Sequence, residues 1–170
     1  RYPVITIGNC QFQVCLLIFK FSNSSKVAEA LEGESIVITF NPHPTKVLYP
    51  SNGPPLITPY EQKVLLIEDA GIDVFMVIEF THEFAKMTAP EFVHKIIHQQ
   101  IGTRAVVVGP DYRFGYKREG DIPALTRMGE ELNFEVHVVT DLTTNGTEVS
   151  SSTIRKFVLH EKLFPHFLQE

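Results

Sequence analysis

Short apolar runs alternate with segments of helical character along this chain. The runs are nearly continuous and rich in β-branched residues, a pattern typical of strands buried on both faces of a sheet. They span Val4–Ile7, Ser35–Phe40, Val74–Ile78, Ala105–Val108 and Glu135–Val139. Because helical segments separate the runs, we expect the strands to pair in parallel through right-handed crossovers.

Helix-start signals lie between the runs. Thr58-Pro-Tyr-Glu61 and Thr88-Ala-Pro-Glu91 have the spacing of capping boxes with a proline in the first turn. Gly71 and Gly102 mark the expected ends of these two helices. This alternation predicts one doubly wound α/β domain with a mostly parallel sheet of about five strands. Two further helices are predicted, over Asp121–Leu132 and Ser152–Leu159.

The composition limits the classes of partner. The 170 residues are 44% apolar and 21% charged, which is typical of one globular domain with a sizeable core. The formal net charge is −5, so we expect binding neither to nucleic acid nor to a membrane surface, which need a basic face. Cys10 and Cys15 lack both the number for a disulfide framework and the CxxC spacing of a redox or zinc site. We interpret them as reduced thiols of a cytoplasmic protein.

The loops after the strands are the candidate sites, because ligands of doubly wound sheets bind beyond the carboxyl ends of the strands. Gly8 and Asn9 follow the first run, where a glycine lets the backbone approach a phosphate closely. Asn41-Pro-His-Pro44 follows the second run, and its prolines stiffen a loop that carries Asn41 and His43. Taken alone, this loop is better explained as a rigid turn without chemistry than as a binding site.

The loop Gly109-Pro-Asp-Tyr-Arg-Phe-Gly115 follows the fourth run. Asp111 and Arg113 supply opposite charges, while Tyr112 and Phe114 offer flat rings on which an aromatic ligand could stack. The residues that follow add positive charge. An ordinary surface loop with one ion pair is the alternative.

Consecutive hydroxyl side chains occur in Val149-Ser-Ser-Ser-Thr-Ile-Arg155, at the start of the last predicted helix. Backbone amides, hydroxyls and the charge of Arg155 together suit a phosphate. The alternative is plain N-capping, for which one serine would suffice.

The histidines do not suggest a metal site. His94 and His98 lie one helical turn apart and could chelate a metal, but the sequence offers no third ligand, so a solvated helix face is expected. No residue is assigned to a metal. The remaining histidines interpreted as surface residues are His82, His137, His160 and His166.

Together these motifs resemble the adenylyltransferase domain of bacterial-type bifunctional riboflavin kinase/FAD synthetases. The matching segments follow the order of the family and cover nearly the whole chain, and Val106–Gly115 is the most specific of them. The segments are Ile5–Asn9, Thr39–Pro44, Phe80–Phe84, Pro90–Val93, Val106–Gly115 and Val149–Arg155.

The resemblance implies a cytoplasmic nucleotidyltransferase of Rossmann-like architecture that makes FAD and pyrophosphate from ATP and FMN, with Mg²⁺ accompanying ATP. Residues 1–170 would form the FMN adenylyltransferase domain, and a riboflavin kinase domain is expected only in a longer native protein. Ser151 and Arg155 would be catalytic. The other residues expected on the ATP side are Gly8, Asn9, Ser150 and Ser152. Those expected to face or support the flavin are Asn41, Pro42, His43, Asp111, Arg113 and Phe114.

One motif of the family is missing. An HxGH signature, whose histidines hold the ATP phosphates, should follow the opening glycine, and this chain has Val14 and Leu17 at those positions. Three interpretations follow: an FAD synthetase domain, a catalytically weakened module that still binds ATP or flavin, or local errors in the reported residues 10–25.

Overall fold

The five apolar runs form one all-parallel sheet in the computed structural model, which describes residues 3–7, 25–51, 60–139, 143–144 and 147–148. The strands are β1 (Pro3–Ile7), β2 (Glu34–Asn41), β3 (Val74–Glu79), β4 (Ala105–Val108) and β5 (Glu135–Val138). Their order across the sheet is β3-β2-β1-β4-β5, and each neighbouring pair is parallel. The prediction of a parallel α/β sheet is confirmed.

Helices occupy the crossovers, as predicted. They are α1 (residues 25–30), α2 (Pro44–Leu48), α3 (Tyr60–Asp69), α4 (Ala89–Phe92) and α5 (Ile122–Leu132). Short 3₁₀ turns span Phe84–Lys86 and Tyr116–Arg118. Helix α4 continues as a π-helical segment over Val93–Gln100. Among the described residues no helix is both long and apolar enough to cross a bilayer.

Three small elements were absent from the prediction: helix α1, helix α2 and a short antiparallel ribbon. Helix α2 begins directly after the proline-rich loop, where the sequence predicts only a stiff turn. A two-stranded antiparallel ribbon pairs β6 (Thr143–Thr144) with β7 (Thr147–Glu148). Helix α2 and the ribbon are too short to show a periodic hydrophobic pattern. The predicted helix Ser152–Leu159 lies outside the described residues.

Side chains that alternate along the strands pack under helices on both faces of the sheet. On one face Ile5, Ile38 and Val106 belong to a cluster with Ile97 of the π-helical segment and Leu125 of α5. This is the larger part of the core.

The opposite face is covered by the earlier helices. Val4 and Val107 pack with Ala28 of α1, and Val37 packs with Ile67 of α3. Since both faces carry helices, the sheet is doubly wound, as predicted.

The edge strands differ from the predicted pattern. Positions 35–39 of β2 and all of β4 are buried, whereas Val74 and Val77 of β3 and Val138 of β5 are exposed. The expectation that every run is buried on both faces is therefore wrong for β3 and β5. Each of these strands has a neighbour on one side only, so less of the molecule covers it.

The N-terminus of α4 is a complete capping box, as predicted. Glu91 Oε2 accepts from the Thr88 backbone amide at 3.0 Å, and Thr88 Oγ1 accepts from the Glu91 amide at 3.4 Å. Lys95 lies 3.1 Å from the other carboxylate oxygen. The Thr88 amide, followed by Lys95 and the Thr88 hydroxyl, lowers the pKa of Glu91 from its ordinary 4.5 to about 2.

We expect this cap to give the protein a specific acid sensitivity. The folded-state pKa of Glu91 lies below its unfolded value, so the carboxylate contributes stability that is complete above pH 4.5 and is lost as the pH falls toward about 2. Glu91→Gln keeps a capping side chain but removes the charge. Urea unfolding should show a lower midpoint for this variant at neutral pH, and the difference from the parent should shrink across that window. Glu130→Gln, at an exposed position of α5, is the matched control. A difference that stays constant with pH would contradict this assignment.

Candidate functional site

The strand order defines a switch point beside β1. From β1 the chain adds β2 and then β3 on one side, and afterwards β4 and β5 on the other. The crossovers on the two sides therefore leave in opposite directions, which opens a crevice at the carboxyl ends of β1 and β4. The loop after β4 is the Gly109–Gly115 loop, and the loop after β2 is the Asn41–Pro44 loop. Two of the loops selected from the sequence thus flank β1.

The Asn41–Pro44 loop is a helix cap as well as a turn. The Asn41–Pro42 peptide is cis, and both residues are exposed at the sheet edge. His43 is 8% exposed and is the N-cap of α2, where its Nδ1 accepts from the Thr45 backbone amide at 3.1 Å. Thr45 Oγ1 lies 2.6 Å from the same nitrogen. Because an amide can only donate, Nδ1 carries no proton, and Nε2 is the protonated nitrogen of the neutral ring.

Arg113 of the Gly109–Gly115 loop forms its ion pair with a residue outside the loop. Arg113 Nη1 lies 3.4 Å from Asp121 Oδ2, so the ion pair that the structure shows for Arg113 joins it to the start of α5 rather than to Asp111. The other oxygen of Asp121 accepts from the Ala124 amide at 2.9 Å as the N-cap. Asp111 and Arg113 are both exposed, and both remain available to a ligand at this edge.

The two rings of this loop, Phe114 and Tyr112, pack against the core to different extents. Phe114 is 6% exposed and belongs to the core, so of its two predicted roles the burial favours support over a stacking surface. Tyr112 stacks on Phe114 with ring centroids 5.4 Å apart and 14° between the planes. Burial raises the pKa of the Tyr112 phenol, which keeps it protonated. Tyr116, which the sequence reasoning did not single out, is 39% exposed.

A series of ring contacts joins the two loops. Successive centroid separations between 5.4 and 6.4 Å connect neighbouring rings, with mostly tilted or edge geometry. The sequence placed some of these residues in a resembling segment without assigning them a role, because the spacing along the chain does not show which rings meet. The aromatic series consists of Phe40, Phe80, Phe84, Phe92, Phe114 and Tyr112.

The Gly109–Gly115 loop is closed and held against α4. Phe114 and Gly120 exchange backbone hydrogen bonds of 3.1 and 2.9 Å as an isolated antiparallel bridge. Gly115 has φ 76° and ψ −178°, a conformation almost restricted to glycine. A Cβ there would lie 2.5 Å from the backbone nitrogen of Ala89. The glycine therefore permits direct contact between the loop and the helix start.

Several predicted site residues lie outside the described residues, so their placement stays a prediction. They are Gly8, Asn9, Ser150, Ser151, Ser152 and Arg155. The positions of the missing signature, Val14 and Leu17, also lie outside, as do Cys10, Cys15, Thr58, His160 and His166.

The remaining histidines agree with the surface interpretation. His94 and His98 are exposed on the π-helical segment, which confirms the solvated helix face. His82 is exposed, and His137 is half-exposed with Nε2 2.9 Å from Glu135 Oε2. Within the described ranges, no three His, Cys, Asp or Glu side chains converge on a point suited to a metal ion.

A groove of about 550 Å³ lies at the opposite edge of the sheet. Ser35 and Asp73, near the amino ends of β2 and β3, line it together with residues of α1. Ser35 donates from its amide and its hydroxyl to one Asp73 carboxylate oxygen, at 2.8 and 2.7 Å. These bonds join two strand starts. The groove lies at the amino ends of these strands, whereas doubly wound sheets bind ligands beyond the carboxyl ends.

Comparison with known proteins agrees with this geometry. Residues 20–153 match the family model described as FAD synthetase. The chain is 31% identical over 143 residues to a bifunctional riboflavin kinase/FMN adenylyltransferase of Buchnera aphidicola subsp. Schizaphis graminum, covering 84% of this chain and 46% of that protein. It is 27% identical over 128 residues to the Escherichia coli (strain K12) protein of the same name, covering 75% of this chain and 41% of that protein.

Among solved structures, the chain resembles one described as a macrolide-efflux protein from Streptococcus pneumoniae. The TM-score is 0.75 at 24% identity, with 93% of this chain and 51% of that chain covered. At this identity the likeness shows the fold alone. The chain spans about half the length of the curated relatives it matches. The family match extends over most of the sequence and includes both described loops, and the chain therefore belongs to the FAD synthetase family.

Proposed function

We propose that this chain transfers the adenylyl group of ATP to FMN. An oxygen of the FMN phosphate attacks the α-phosphorus of ATP, a new phosphoanhydride bond forms, and the bond to the β-phosphate breaks to release pyrophosphate. FAD is the other product. In such a transfer the protein mainly aligns the reacting groups and stabilises charge on the phosphoryl oxygens.

The position of the Gly109–Gly115 loop carries this proposal. It follows β4 at the switch point beside β1, where doubly wound sheets bind nucleotides. It combines the exposed side chains of Asp111 and Arg113 with the partly exposed Tyr112, on a support of buried rings. Such a surface suits a flat, polar, phosphate-bearing ligand.

The two sides of the crevice have different roles in this proposal. On the flavin side Asp111 and Arg113 contact the ligand, while Phe114 supports the loop from the core. Asn41 and Pro42 face the same edge from β2, and His43 holds that loop in place through its cap on α2.

On the ATP side we propose the residues implied by the family motifs. Gly8 and Asn9 follow β1 along the chain and would approach the phosphates through the backbone. Ser150 and Ser152 would donate hydrogen bonds to the phosphates, with Ser151 and Arg155 acting on charge that develops during transfer.

Magnesium would arrive bound to the ATP phosphates, whose negative charge it would partly neutralise. Because the described residues provide no cluster of three ligands, we assign none of them to the ion and assign it no step. We place the reaction in the cytoplasm. By analogy with the domain content named for the relatives, the partner domain in a longer protein would be a riboflavin kinase.

The alternative is a weakened module that binds ATP or flavin without rapid transfer. Its basis is the absence of the HxGH histidines at Val14 and Leu17, which lie before the first residue of the family match at position 20. Both functions predict the same ligands, and they differ in the rate of the chemical step.

Ligand choice tests the shared part of these proposals. We expect the chain to bind FMN more tightly than nicotinate mononucleotide, because the Gly109–Gly115 loop presents an aromatic and polar surface suited to a flavin. Quenching of flavin fluorescence on titration, with displacement by the competing nucleotide, measures the preference. Free riboflavin, which lacks the phosphate, is the matched control ligand. Equal or tighter binding of nicotinate mononucleotide would refute the flavin assignment.

A further inference from the structure

Glu119 connects the Gly109–Gly115 loop to the start of a distant helix. Its Oε1 accepts a hydrogen bond from the Ala89 backbone amide at 2.8 Å, across 30 positions of the sequence. The other backbone amides of this turn find acceptors within it, because the Thr88 amide donates to the Glu91 side chain and the Glu91 amide donates to the Thr88 side chain. Pro90 has no N–H. The Ala89 amide is the one that depends on another element of the structure.

The loop backbone meets the same residue. A Cβ at Gly115 would lie 2.5 Å from Ala89 N, and one at Gly120 would lie 2.8 Å from Ala89 Cβ. Glu119 lies between these two glycines in sequence. A side-chain hydrogen bond and two close backbone approaches therefore converge on Ala89, which is 4% exposed.

The residues held in this way are connected to the ligand-facing part of the loop. Gly120 is bridged to Phe114, whose neighbour Arg113 pairs with Asp121. A displacement of residues 115–120 away from α4 would therefore carry Arg113 with it. A loop already held in its binding conformation loses less conformational entropy when a ligand arrives.

We propose that Glu119 is a positioning residue for the flavin-side loop: its hydrogen bond to Ala89 holds Arg113 and Tyr112 at the switch point in the geometry that binds FMN. This inference rests on the proposed function. The role of Glu119 differs from that of Asp111, which we assign to direct ligand contact. A carboxylate is not required in itself, because an amide oxygen can also accept from the Ala89 N–H.

The test compares Glu119→Ala with Glu119→Gln and with Glu130→Ala as a control at an exposed position of α5. Loss of this hydrogen bond predicts that Glu119→Ala weakens FMN binding about tenfold, with ATP affinity unchanged. Glu119→Gln should recover most of the loss, and Glu130→Ala should bind as the parent does. Hydrogen exchange at the amides of Ala89 and Gly120 should accelerate in Glu119→Ala and not in Glu130→Ala.

The possible outcomes separate this inference from the function on which it rests. If the parent binds no FMN, the proposed function fails, and this inference fails with it. If the parent binds FMN and Glu119→Ala accelerates exchange without changing FMN affinity, the bond is structural only and the positioning role is overturned. The role is also overturned if Glu119→Gln binds FMN as poorly as Glu119→Ala, because charge rather than hydrogen bonding would then matter. Equal losses of ATP and FMN affinity would show a general loosening of the domain and refute it as well.

Discussion

Gly115→Ala should strongly destabilise the protein and abolish flavin binding. The substitution places a Cβ 2.5–2.7 Å from three atoms of Ala89, two of them backbone atoms that cannot move without displacing α4. It also places alanine in a conformation nearly restricted to glycine. Strain and overpacking together cost roughly 2–6 kcal/mol. The melting temperature should fall by at least about 5 °C, as calorimetry or circular dichroism would measure.

Gly102→Ala is the matched control for this prediction. Gly102 also has a left-handed φ, +69°, but a Cβ there meets no atom within 4 Å. Gly102→Ala should therefore lower the free energy of unfolding by only about 1 kcal/mol, the cost of placing alanine in this backbone conformation. The difference between the two variants therefore isolates the contact between the loop and α4. Equal destabilisation by both variants would show that the loop does not press against Ala89 as described.

Restoring the missing signature should increase adenylyl transfer about a hundredfold or more. The triple change Val14→His, Leu16→Gly and Leu17→His rebuilds HxGH at the register that the family resemblance indicates. Imidazole groups at these positions would act mainly on charge in the transition state, while ground-state binding is shared among the other phosphate contacts. The rate of FAD formation from ATP, FMN and magnesium, followed by chromatography, measures the gain. The affinities for ATP and FMN should change little.

A single change, Leu16→Gly, controls for altered backbone flexibility in this segment. It should leave the rate near that of the parent chain, since it adds no imidazole. Rapid turnover by the unmodified chain would contradict the weakened-module interpretation and would mean that other residues perform the chemistry. Mass mapping of the peptide that covers residues 10–25 would decide whether the reported sequence of this segment is correct.

Much of the fold could be predicted because its determinants are local. The β-branched runs around Ile38 and Val106 specified the central strands, since a short run of such residues is stable only where both faces are covered. The Thr88–Glu91 capping box was visible because both partners lie within one helical turn. The exposure of β3 and β5 was not visible, because an apolar run does not reveal how many neighbours its strand has.

The candidate site divides in the same way. Its loops were recognised from glycines, prolines and charges that follow strands along the chain. The pairing of Arg113 with Asp121 was missed, because a charge eight positions away is no more prominent in the sequence than Asp111. The sequence left open whether Phe114 faces or supports the flavin, because its ring contact with Phe92 joins two separate elements.

The sequence by itself thus determined the strands, most helix starts and the loops of the candidate site. Only the tertiary structure decided how these loops are fixed. Gly115 and Glu119 meet Ala89, and the aromatic series joins the loop after β2 to the loop after β4. The physical reason is the sequence separation over which each kind of interaction acts. Propensity and capping act between residues a few positions apart, whereas a hydrogen bond across 30 positions exists only after the sheet has brought both ends to one edge.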